Sequence, residues 1–125
     1  PVTMADGRTV TPDEVLGPQR PGARLIFVGD AGRTDDLLEV AAEADALVIE
    51  ATYLNEDAQT AKEFGHLTAA QSATLAREAN VRQLFLTHIS RRYSARQVLE
   101  EAQPIFPNVL VPNDLDRFRI VKPEE

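Results

Sequence analysis

Three short apolar runs, each followed by a helix-forming stretch, predict an α/β domain built on parallel strands. Leu25-Ile26-Phe27-Val28 leads to Gly29-Asp30, Ala46-Leu47-Val48-Ile49 leads to Glu50, and Leu84-Phe85-Leu86 leads to Thr87-His88. Continuous apolar runs of this length suit strands buried in a sheet. Strands alternating with helices form right-handed βαβ crossovers, so successive strands point the same way and their C-terminal ends share one rim. In open α/β sheets that rim is where ligands bind.

The elements follow in order. Residues 1–22 hold Gly7, Pro12, Gly17, Pro18, Pro21 and Gly22, which predicts a turn-rich, irregular entry segment ahead of the sheet-bearing residues 23–125. After the first strand, Thr34 reads as an N-cap with Asp35 and Asp36 in the first turn, where the helix dipole favours anions. That helix is expected to run through Leu37, Leu38, Val40, Ala41 and Ala44. Residues 55–64 suit a helix or helical turn broken by Gly65. Thr68 and Gln71 form a capping box for a helix reaching Asn80. A further helix is expected over about 94–103, then short strands at Val109-Leu110-Val111 and Phe118–Ile120.

Composition narrows the function classes. At 125 residues the chain is one domain at most, and 43% hydrophobic with 26% charged residues is ordinary for a globular chain. No apolar run approaches the roughly 18 residues of a transmembrane helix. With no cysteine there is no disulfide and no thiolate metal site, so any transition metal must be held by His, Asp or Glu. The lack of cysteine fits a cytoplasmic protein. A net charge of −7 argues against a broad nucleic-acid-binding surface while leaving a local basic patch open. The chain opens on Pro1, and its first residues read like the interior of something longer, so a fragment, a split chain or a processed product is expected.

The strand ends carry the chemistry. Asp30, Glu50 and His88 would meet at the common rim, where a carboxylate can bridge two divalent ions and a neutral imidazole can ligate one. His66 precedes the Thr68 cap, and a helix start carries free N–H groups suited to phosphate. Each residue also has a plainer reading. Asp30 alone can be a cap or turn residue, Glu50 an exposed strand end, His66 a loop residue, and His88 a satisfied half-buried histidine. A phosphoacceptor pocket using Asp30 with Asp35 or Asp36 is another possibility, but it leaves both histidines without a role.

The strings themselves add specificity. Gly29-Asp30, Ile49-Glu50-Ala51-Thr52, Gly65-His66-Leu67-Thr68-Ala69-Ala70-Gln71 and Leu86-Thr87-His88-Ile89-Ser90, followed by Arg92-Tyr93, stand in the order found in the tRNase Z family of metallo-β-lactamase-fold phosphodiesterases. Asp6-Gly7-Arg8 and the segment Pro12 to Pro18 also resemble that family, and the likeness covers about residues 2–112. It implies the C-terminal half of a metallo-β-lactamase αββα sandwich and a zinc-dependent endoribonuclease that removes the 3′ trailer from tRNA precursors. By this resemblance Asp30 bridges two zinc ions, with manganese also compatible, and His88 ligates one of them. Glu50 and His66 match the pair that transfers a proton near the leaving 3′-oxygen. Arg92, with Arg91 and Arg96, is a candidate for RNA phosphate contact, although a solvated helix start explains these arginines equally well.

The sequence also departs from the family. Ile49 stands in place of a His, Leu67 in place of a Ser, and Ala31 in place of a Thr. The family's His-x-His-x-Asp-His cluster, another His ligand and a basic tRNA-gripping arm belong to an N-terminal half not found here. That half is therefore an expected partner, with the tRNA precursor as substrate and a homodimer as the complete enzyme. Alone, the chain is expected to be inactive. The alternatives are a non-catalytic half-domain that completes a partner, or a related hydrolase acting on small esters.

Overall fold

The computed structural model describes residues 2–3, 9–10, 22–29 and 33–120. Within the stretch expected to be irregular, β1 (Val2–Thr3) and β2 (Thr9–Val10) form a two-stranded antiparallel ladder. The main sheet has four strands in the order β3 (Leu25–Phe27), β4 (Ala46–Glu50), β5 (Gln83–Thr87) and β6 (Val109–Leu110). All three pairings are parallel, so the fold is α/β as the alternation predicts. The crossovers hold α1 (Leu38–Ala41), then α2 (Ala58–Phe64) and α3 (Ala69–Ala79), then α4 (Ala95–Ala102).

One face of the sheet is the core. Register aligns Ile26 with Leu47, Leu47 with Leu84, Ile49 with Leu86, and Leu84 with Val109. These residues pack with Leu75, Ala76, Val98 and Ala102 from α3 and α4. Leu47, Ile49, Leu84 and Leu86 are wholly buried. Each such side chain stabilises the fold by roughly 1.5–3 kcal/mol relative to an exposed one. Ile49, which departs from the string the sequence resembles, is therefore a core residue.

The opposite face is largely uncovered. Leu25 is 49% exposed, Phe27 73% and Leu110 41%. Only Phe85 is well covered among these large side chains, its ring lying 4.9 Å from that of Phe118.

Capping fixes the helices that frame the rim. The Thr68 hydroxyl accepts the Gln71 amide at 3.2 Å, and Gln71 Oε1 accepts the Thr68 amide at 2.8 Å, which completes the box the sequence predicts. Ser94 and Gln97 form a second box at α4. Two expectations differ from the structure. The first helix is only Leu38–Ala41, and Thr34 precedes a turn instead of capping it. Leu38 and Val40 are 38% and 51% exposed, so the apolar residues here do not make one buried stripe that would stabilise a longer helix. Residues 118–120 form no strand, because Phe118 lies against Phe85 instead of joining the ladder.

Candidate functional site

Glu50 is the last residue of β4 and is 2% exposed. By the strand period its side chain points away from the Ile49 core face. Its carbonyl accepts the buried Ser72 hydroxyl at 2.6 Å, which ties the strand end to α3. Register pairs Glu50 with Thr87, so the next residue, His88, lies at the same rim.

His66 reaches that rim from the chain reversal between α2 and α3. Gly65 ends α2 with φ +71°, a conformation that favours glycine. The His66 amide donates to the Ala61 carbonyl at 2.8 Å, and the fully buried Leu67 anchors the following residue. Tyr53 and Thr68 form an isolated parallel bridge, which holds the segment after Glu50 against the segment after His66.

Three side chains therefore converge. His66 Nδ1 is 2.8 Å from Glu50 Oε2, and His88 Nδ1 is 4.0 Å from the same oxygen. The imidazole centroids lie 5.5 Å apart. The Thr52 hydroxyl donates to Glu50 Oε2 and lies 2.9 Å from His88 Nδ1. One carboxylate oxygen thus gathers a histidine and a hydroxyl, and the hydroxyl continues to the second histidine.

The donor set of Glu50, His66 and His88 has ligand atoms within 4.8 Å of one another and is chemically suited to a divalent cation. Tetrahedral zinc bonds of about 2.0–2.2 Å hold ligand atoms roughly 3.3–3.6 Å apart. The 2.8 Å between Glu50 and His66 is shorter and is an ordinary hydrogen-bond length. Those two residues are consequently arranged as a carboxylate–imidazole pair, with His88 as the neighbouring imidazole. Asp30, the expected bridging ligand, lies outside the described residues.

Arg92 stands beside the rim with its guanidinium 5.5 Å from the Tyr53 ring centroid and Nη1 3.5 Å from Asp57 Oδ2. The Tyr93 hydroxyl donates to the same Asp57 oxygen. Burial, assisted by that hydrogen bond, raises the Tyr93 phenol above the usual tyrosine range. Arg96 is paired with Glu100 at 3.0 Å along its own helix, so it is not directed at the rim. Sequence reasoning assigned no role to Thr52 or to the Asp57–Tyr93 contact. Thr52 was accessible to it, since two residues beyond Glu50 in an extended segment is the same face.

The fold and the site define a member of the beta-lactamase superfamily. A family model described as "Beta-lactamase superfamily domain" matches residues 4–89, and the chain belongs to that family. Among curated relatives it is similar to Ribonuclease Z of Bradyrhizobium sp. (strain ORS 278), 50% identical over 96% of this chain and 40% of the relative. It is also similar to Ribonuclease Z of Archaeoglobus fulgidus, 46% identical over 86% of this chain and 36% of the relative. The chain thus spans about 40% of the length of the curated relatives it matches. Human tRNase Z, short form, has a similar structure with a TM-score of 0.62 and 28% identity, covering 78% of this chain and 33% of that one. The metallo-beta-lactamase fold protein YhfI from Bacillus subtilis shares the fold at a TM-score of 0.65 and 21% identity, over 70% of this chain and 36% of that one. Among the described residues no helix is long and apolar enough to cross a membrane.

Proposed function

We propose that this chain is part of a zinc-dependent endoribonuclease that removes the 3′ trailer from tRNA precursors. The hydrogen-bonded Glu50–His66 pair at the strand rim, beside His88, carries this reading. The similarity to proteins named Ribonuclease Z supplies the substrate class. Residues 23–125 form the sheet-bearing C-terminal half of the catalytic domain in this reading. A further polypeptide stretch, corresponding to the remainder of the relatives' length, completes the site and covers the exposed face of Leu25, Phe27 and Leu110. The complete enzyme is a cytoplasmic homodimer.

His88 would hold metal together with Asp30, and imidazole with carboxylate is a donor set that zinc accepts, as does manganese. When bound, the metal supplies activation of water and neutralises charge on the phosphate. The chain's own residues handle the proton. Glu50 accepts the Nδ1 hydrogen bond of His66 and fixes the ring. Nε2 is then the nitrogen that takes up a proton and, from the imidazolium so formed, delivers it to the leaving 3′-oxygen while the Nδ1 proton stays on the ring. Arg92, oriented by Tyr53 and Asp57, lies close enough to the rim to meet a backbone phosphate.

The test mixes the chain with a polypeptide supplying the remaining portion of such an enzyme and assays a 3′-extended tRNA precursor. Cleavage is expected from the mixture alone, and it is lost with Asp30→Ala or His66→Ala. A mixture that assembles but leaves the precursor intact would favour a non-catalytic role for the half-domain. Cleavage undiminished by either substitution would remove these residues from the site.

A further inference from the structure

We propose that Thr52 is a positioning residue that sets the tautomer and orientation of the His88 ring. Its hydroxyl has one proton, and that proton is directed to Glu50 Oε2. The Thr52 oxygen facing His88 Nδ1 at 2.9 Å must then act as acceptor, so Nδ1 carries the ring proton. The relay runs from His88 Nδ1–H to Thr52 Oγ1–H to Glu50 Oε2. A neutral imidazole protonated on Nδ1 keeps its lone pair on Nε2. His66 donates its own Nδ1–H to the same carboxylate oxygen, so both histidines are set in the same tautomer by one buried acceptor.

A second observation supports the assignment to Thr52. His88 has φ 55°, a left-handed backbone that is strained for a non-glycine residue and persists only where surrounding contacts impose it. Two backbone contacts that hold this turn come from residues 51 and 52. The Ala51 amide donates to the Thr87 carbonyl at 2.9 Å, and the Ser90 amide donates to the Thr52 carbonyl at 3.1 Å. Thr52 thus grips the turn after His88 by its backbone and the ring by its side chain. Hydrogen bonds of this kind orient metal-binding imidazoles. That consequence rests on the function proposed above, whereas the tautomer assignment rests on geometry alone.

The experiment records imidazole ¹H–¹⁵N correlation spectra of the metal-free, ¹⁵N-labelled 125-residue chain, at a pH where the rings are neutral. The expected spectrum places the His88 proton on Nδ1 in the wild type and in Thr52→Ser. In Thr52→Val, which removes the hydroxyl at nearly constant volume, His88 shifts to majority Nε2–H while His66, still held by Glu50, keeps Nδ1–H. Wild-type His88 protonated on Nε2, or a Thr52→Val spectrum identical to wild type, overturns the proposal. The wild-type and serine spectra decide the matter even if the valine variant fails to fold. Because no metal or RNA is present, this result and the trailer-cleavage result can fail independently.

Discussion

His66 Nδ1 lies 2.8 Å from Glu50 Oε2, and the carboxylate is 2% exposed. A buried acceptor at hydrogen-bond distance from the imidazole holds that ring to one orientation. Replacing Glu50 by Gln keeps the volume but removes the charge and offers an amide N–H in place of one oxygen. In the enzyme proposed above, Glu50→Gln and His66→Ala are each expected to lower kcat by roughly 10²–10⁴-fold, the range of one acid–base group. Because the two act as a unit, the double variant should lose little more than either single one. Steady-state cleavage of a tRNA precursor measures this, and multiplicative losses would show that the residues act separately.

Glu101 joins two chain segments at the rim. Its Oε1 accepts the Asn55 amide at 2.8 Å, where a 3-10 turn over Asn55–Asp57 begins, and its Oε2 accepts the Ala70 amide at 2.9 Å in the first turn of α3. Both amides are at helix starts, where backbone donors lack helical partners. Glu101→Ala is expected to destabilise the chain by about 1–2 kcal/mol, and Glu101→Gln by less, since one acceptor oxygen remains. Urea unfolding should register this as a lower midpoint at unchanged slope. An unmoved midpoint would mean that water replaces the carboxylate at no cost.

The strands and the main helix were readable because their signals are local. Apolar runs mark β4 and β5, and Thr68 with Gln71 announces the start of α3. The common rim followed from parallel topology. What could not be read was how loops place side chains. The approach of His66 to Glu50 depends on the Gly65 reversal and on the Tyr53–Thr68 bridge, which join segments distant in sequence. The first helix misled for a related reason: Thr34 followed by two aspartates looks like a cap, yet only four residues beyond it have helical packing. Phe118 has the residue type of a strand but found a ring, Phe85, instead of a ladder.

Tyr93 gives the fold an alkaline sensitivity. Burial first, and its hydrogen bond to Asp57 second, raise the phenol above its ordinary value of 10.0. Between pH 10.0 and the higher folded value, the native state therefore holds a proton that the unfolded state has lost. This contribution is fully present below the unfolded pKa and disappears as pH rises through the folded one. Wild-type stability should fall more steeply above pH 10.0 than that of Tyr93→Phe, which has no phenolic proton to lose. Urea midpoints measured at a series of alkaline pH values compare the two slopes, and parallel slopes would exclude the effect.

The uncovered sheet face makes the last prediction. Phe27, at 73% exposure, and Leu25, at 49%, lie on the face opposite the core, with Leu110 at 41% on the far strand. Exposed apolar side chains gathered on one face favour association. The proposed complementing polypeptide would cover them, so the chain without it should self-associate as concentration rises. Phe27→Asp puts a charge where burial would be costly, while leaving the core face of Ile26 and Leu47 untouched. Sedimentation should therefore show weaker self-association for Phe27→Asp, and the same variant should bind the complementing polypeptide less tightly. Loss of self-association with undiminished complementation would mean that the completing chain docks elsewhere. A wild-type chain that remains monomeric at high concentration would mean that this face tolerates water and needs no cover.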